Sequence, residues 1–196
     1  MHCGRPLLEE QDEFCMDCIE RKNSCIEQGI IMWEYDEPMQ ASIAKFKYGG
    51  YGELARDYAE RICKKYKKTI KGWNPTLILS VPMYKKKIRY RGYNQAALLA
   101  TEISKILHIP YSEELLIRNR ETKPQSGLNK KERTKNLRHA FSVSKKEWEQ
   151  KSRPQKILII DDLYTTGSTI EECAAMLKLA GAKKIYFLAA CTSTNV

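Results

Sequence analysis

The stretch Ile157–Glu172, ILIIDDLYTTGSTIEE, limits what this chain can fold into more than any other. Ile157 to Ile160 are consecutively apolar with no polar residue alternating, which describes a strand covered on both faces inside a parallel sheet. Asp161 and Asp162 follow at once. Then come Tyr164, Thr165, Thr166, Gly167, Ser168 and Thr169, and an apolar-periodic helix from Ile170 to Leu179 that stops at Gly181. A strand, a hydroxyl-rich loop and a helix start together make an anion site. Backbone N–H groups point at the anion, the helix dipole favours it, and the hydroxyls add donors. Gly167 lets a ligand approach the backbone closely. A sugar with vicinal hydroxyls fits between a phosphate and two carboxylates. Against this stands a plainer reading, in which Ser168 and Glu171 form a capping box on an ordinary helix. No Gly-Lys-Ser/Thr follows the glycine, so this is not a Walker A loop.

The acidic pair and the T-T-G-S-T run resemble the phosphoribosyl-pyrophosphate (PRPP) motif of type I phosphoribosyltransferases. The resemblance implies an α/β fold, a Rossmann-like parallel sheet flanked by helices. It implies that Asp161 and Asp162 are the catalytic carboxylates, holding ribose hydroxyls directly or through Mg²⁺. Tyr164, Thr165, Thr166, Gly167, Ser168 and Thr169 then take the 5′-phosphate of PRPP or of a nucleotide.

The remaining chain suits one such domain over residues 29–196. Residues 29–36 read as a strand, and Pro38 opens a helix carrying Met39, Ile43, Phe46 and Lys47. Tyr48 to Gly52 is a glycine turn, and Glu53 to Lys68 is a helix with Leu54, Tyr58, Ile62 and Tyr66 on one stripe. Leu77 to Val81 is a second buried parallel strand, stopped by Pro82. A basic loop after it, MYKKKIRYRGYNQ, falls at the carboxyl edge of the sheet, where open α/β folds bind ligands. Lys85, Arg89 and Arg91 are the candidate anion contacts there, and the transferase resemblance makes this the pyrophosphate loop. Asn94 caps a helix from Gln95 to Leu107. Arg118 to Ala140 reads as a loop over the site or as an idle surface loop. Ser142 to Arg153 reads as a short helix and linker, and Ile185 to Ala190 as the last strand.

Charge is unevenly spread. The net charge is +10, and between Arg61 and Arg91 there are eleven Lys or Arg residues and no acid. Such blocks attract polyanions, though a lysine-rich surface also serves solubility alone.

The combination VP…R-x-R-G-Y-N-Q-A-x-x-L-A, the run Arg118, Thr122, Pro124-Gln125, Leu128, Arg133, Asn136 and Phe141, and Tyr35…Phe46-Lys47-Tyr48-Gly49 are similar to the ComF family of bacterial competence proteins. That resemblance covers nearly the whole chain. It implies help in the uptake of single-stranded DNA beside a DNA-uptake helicase, with Arg118, Gln125 and Arg133 on a flexible loop that closes over PRPP. The alternative is a working Mg²⁺-dependent phosphoribosyltransferase with an unidentified nucleobase or amine acceptor. A scaffold with a vestigial phosphate site is a third reading.

Residues 1–28 hold Cys3, Cys15-x-x-Cys18 and Cys25, a zinc-ribbon-like segment in which Cys3 lacks its partner. Either the natural chain begins upstream, or Cys25 or His2 supplies the fourth Zn²⁺ ligand, or no metal binds. Cys63, Cys173 and Cys191 lie in apolar stretches and are expected to be buried and inert. No signal-peptide pattern and no run long enough for a membrane span is present, so a cytoplasmic location is expected.

Overall fold

The computed structural model describes Gly4, residues 24–122 and residues 130–192. Five parallel strands form the sheet: β1 (Gln28–Glu34), β2 (Leu77–Ser80), β3 (Tyr111–Ser112), β6 (Lys156–Tyr164) and β7 (Lys184–Thr192), in the order β1-β7-β6-β2-β3. Two short antiparallel strands, β4 (Leu116–Arg118) and β5 (Phe141–Val143), make a separate ribbon.

The apolar run expected to be an interior strand is one. Ile157, Leu158, Ile159 and Ile160 are 0% exposed, with β2 on one side and β7 on the other. Burial of four such side chains contributes roughly 6–12 kcal/mol before chain entropy is counted. Strand alternation divides their contacts. Leu158 and Ile160 pack with Ile30, Ile78 and Leu188 under α1 (Glu37–Tyr48), α2 (Leu54–Trp73) and α4 (Gln95–Leu107). Ile157 and Ile159 pack with Ile31, Leu79 and Phe187 under α7 (Ser168–Ala180), α6 (Lys145–Gln150) and the β4–β5 ribbon. The result is a Rossmann-like sheet covered on both faces.

Several boundaries differ from the sequence reading. α2 runs to Trp73 rather than Lys68, because Ile70 and Trp73 continue its buried stripe; Asn74 ends it at φ 52°. The segment after β2, expected as a loop, contains a helix, α3 (Lys85–Arg91), closed by Gly92 at φ 86°. The segment from Arg118 to Ala140 is not simply a loop either. Arg118 ends β4, and α5 (Lys130–Leu137) follows, anchored by Leu137 and Ala140 at 0% exposure. Ser142 and Val143, expected to belong to a helix and linker, lie in β5 instead, and the helix itself starts at Lys145. Single buried anchors in charged segments leave no periodic signal in a sequence, so these elements were hidden.

Topology locates the ligand edge. From β2 the chain turns into α4 on one face; from β6 it turns into α7 on the other. The last bond between β2 and β6 is Val81 N donating to Ile160 O at 2.9 Å. Beyond it the connections diverge, which opens a crevice at the carboxyl ends. Asp161 and Asp162 are the next residues on β6.

Candidate active site

The two carboxylates sit inside β6, not after it. Alternation sends them to different faces. Asp162 meets α1, where Lys47 Nζ lies 2.7 Å from its Oδ2, with 16% and 15% of the two side chains exposed. That oxygen is enclosed and sits outside hydrogen-bond geometry, so the contact is an ion pair. Asp161 Oδ1 accepts from Asp162 N at 2.9 Å, and its charge is felt by Cys173 of α7 and by Arg118. Burial pushes the Asp161 carboxyl well above the usual carboxylate range, and the negative charge of Asp162 pushes it further. Burial also acts on Asp162, but Lys47 outweighs it and holds that carboxyl below its ordinary value. Burial likewise acts against the Lys47 ammonium, and Asp162 overrides it and raises the lysine. The site therefore holds an ionised Asp162 beside an Asp161 that retains its proton more readily.

Lys47 went unassigned in the sequence reading. A signal existed: it stands four residues after Ile43 and eight after Met39, on the buried stripe of α1. Its placement depends on the R-G-Y-N-Q run. Tyr93 Oη donates to Phe46 O at 2.8 Å, and Gln95 Nε2 donates to Phe46 O at 3.3 Å and to Lys47 O at 3.4 Å. Arg91 Nη2 donates to Tyr48 Oη at 3.0 Å. Asn94 caps α4 by accepting from Ala96 N at 3.2 Å and donates to Val81 O at 3.0 Å, tying the helix start to the end of β2. One motif thus clamps the end of the helix that delivers Lys47.

Cations gather opposite the acids. Arg91 acts electrostatically on Asp162. Lys87, also unassigned from sequence, has its pKa lowered by burial and then by the charges of Arg118 and Arg91. Arg118 lies over the Phe141 ring at 5.4 Å, donates to Thr122 Oγ1, and has an enclosed Nε with no hydrogen-bond partner among the described residues. Three crowded cations make a place suited to an anion. Lys85 and Arg89 are exposed on α3, and Arg91 is the candidate that the fold brings towards the carboxylates. Gln125 lies outside the described residues. Arg133 falls within α5, its side chain outside the described part.

The loop from Thr165 leads into α7 with Gly167 as its N-cap at φ 71°, a left-handed turn that a β-carbon would strain. Thr166 Oγ1 and Ser168 Oγ are 3.0 Å apart. Thr166 and Gly167 are buried, and Thr165, Ser168 and Thr169 are half-buried. The capping box does not form. Ser168 is already helical, and Glu171 turns away to accept from Cys25 N at 2.6 Å and from Ser24 Oγ at 3.1 Å. The Tyr164 ring is 2% exposed and stacks on Phe187 at 4.9 Å, so it anchors the loop from within the core rather than facing a ligand.

Cys3, Cys15, Cys18 and His2 lie outside the described residues. Among the described residues no group of three or more His, Cys, Asp or Glu could hold a metal. The Cys25 thiol is half-buried and pushed up by burial and by Glu171, which opposes the thiolate a zinc ligand must be. Cys63, Cys173 and Cys191 are buried, as expected. Among the described residues no helix is long and apolar enough to cross a membrane.

No family model matches the chain. It is 33% identical over 189 residues to Competence protein F of Haemophilus influenzae, spanning 94% of this chain and 80% of that protein. It is 27% identical over 192 residues to DNA utilization protein YhgH of Escherichia coli K12, spanning 96% and 82%. It is 28% identical over 180 residues to Competence protein ComFC of Bacillus subtilis, spanning 89% and 69%.

Proposed function

The chain belongs to the ComF family of competence proteins, and from that premise we propose that it assists the uptake of single-stranded DNA while holding PRPP or a nucleotide phosphate at the β2–β6 edge. The names of its relatives, which speak of competence and DNA utilization, support the uptake half. The ligand half rests on one observation: a carboxylate pair with opposed proton affinities leads directly into a hydroxyl loop and helix start, with Arg91 acting on Asp162, Arg118 on Asp161, and Lys87 beside both arginines.

In this reading Thr165 to Thr169 and the α7 amides take the 5′-phosphate. Asp162, ionised, accepts from one ribose hydroxyl, and Asp161 exchanges a hydrogen bond with its neighbour. Lys87, Arg91 and Arg118 hold the second phosphate end. The oxygen donors of Asp161 and Asp162 suit a hard cation, and Lys47 already offsets one charge, so they fit Mg²⁺ held mainly by the ligand's own phosphates. When bound, Mg²⁺ supplies charge neutralisation on the pyrophosphate. A DNA-uptake helicase in the cytoplasm is the protein partner this role calls for.

Phosphoribosyl transfer is the second reading, favoured by the proton-retaining Asp161 beside the sugar position. Titration calorimetry with PRPP and Mg²⁺ separates the cases. Saturable binding that is lost in Asp161→Ala and Asp162→Ala supports the site. Binding without pyrophosphate release across nucleobases leaves the first reading, and no binding at all ends both ligand readings.

A further inference from the structure

Large apolar side chains at the surface are few. Among the described residues, those are Tyr48 at 67% exposure, Tyr51 at 48%, Tyr90 at 86%, Ile117 and Leu179. The three tyrosines belong to two segments joined at the site: the end of α1 with the turn after it, and helix α3. The join is Arg91. Its guanidinium lies 4.8 Å from the Tyr48 ring centroid, and its Nη2 bonds the Tyr48 hydroxyl. Tyr51 folds back over Gly49, where a β-carbon would come within 2.9 Å of its Cδ2. Around these rings, α3 carries Lys85, Lys86, Lys87, Arg89 and Arg91 and no acid in its first turn.

An aromatic ring held flat by a cation, open on its remaining surface and flanked by exposed cations, matches what an unpaired base and its phosphate need. We propose that Tyr48 is a stacking platform for a nucleobase of single-stranded DNA, with Tyr90 as a second ring and Lys85, Lys86 and Arg89 taking backbone phosphates. The inference rests on the DNA-handling reading above. Arg91 fixes the ring before DNA arrives, which reduces the ordering cost of binding. The same arginine acts on Asp162, so an occupied platform lies against the wall of the phosphate site.

The test is fluorescence anisotropy of a labelled oligothymidylate over a salt series, with thymidine monophosphate as competitor. Tyr48→Ala weakens binding about ten-fold while the salt slope stays unchanged, because stacking releases no counterions. Tyr48→Phe retains the wild-type affinity. Lys85→Ala combined with Arg89→Ala lowers the slope by about 1.4, the value for two phosphate contacts on a single strand. Tyr90→Ala gives a second loss on a ring that is almost fully exposed and not needed for folding. Unchanged affinity in both Tyr48→Ala and Tyr90→Ala overturns this inference alone. Displacement of the oligomer by the monophosphate at comparable concentration overturns it too, since the ligand is then a single nucleotide. No binding by the wild-type chain removes the DNA-handling reading itself.

Discussion

Replacing Lys47 by Met strips Asp162 of its counter-ion while keeping the volume of the side chain. At the observed 2.7 Å, two unit charges attract with about 6 kcal/mol at an effective dielectric near 20. Much of that is offset by the cost of taking both groups from water. Breaking a buried pair by removing one partner costs about 3–5 kcal/mol. With 16% and 15% of the side chains still exposed, the lower end applies, about 3 kcal/mol. For a domain of this size that lowers Tm by about 6–12 °C. The pH dependence has a definite sign. Asp162 has a depressed pKa, so its stabilisation is full above the ordinary value of about 4 and is lost as pH falls through the folded value. Lys47 has a raised pKa, so its share is full below about 10.4 and is lost as pH rises through the folded value. The gap between wild type and Lys47→Met is therefore widest between these limits and narrows in acid. Thermal melts from pH 3 to pH 9, with the double variant Lys47→Met/Asp162→Leu, measure it. The double variant should regain most of the loss. A single-variant shift below about 2 °C, or losses that simply add, would refute the ion-pair reading.

Asp161 carries the opposite sign. Its folded pKa is raised, so it weakens the fold increasingly as pH rises above its unfolded value; Asp161→Asn should raise Tm at pH 7, leave it unchanged near pH 3, and weaken PRPP binding in calorimetry. Gly29→Ala would bring a β-carbon to 2.1 Å from the Phe187 ring, which stacks on Tyr164 at the root of the phosphate loop. An overpacking cost of about 1–3 kcal/mol is expected in urea melts, with weaker ligand binding alongside. Zinc measured by mass spectrometry on the purified chain decides the cysteine segment: one equivalent supports a site on Cys3, Cys15 and Cys18 with Cys25 or His2 as the fourth ligand, and a value well under one equivalent removes it.

Much of the framework was legible in the residues themselves. Ile157–Ile160 and Leu77–Ser80 announce interior strands, since continuous apolar runs have no other stable place in a domain of this kind. The bounds of α4 and its Asn94 cap follow from local hydrogen-bond chemistry. The acidic pair and the hydroxyl loop could be picked out because strand, loop and helix start are contiguous in the chain. What could not be read there depends on contacts between distant segments. Only the packing of α1 against β6 gives Lys47 to Asp162, and only that pairing separates the proton affinities of two adjacent, chemically identical side chains. The R-G-Y-N-Q run shows its role as a clamp only once Phe46 is beside it. Sequence fixes which groups are present and how the backbone can run locally. Burial, distance and neighbouring charge, which set what those groups do, arise from the tertiary fold.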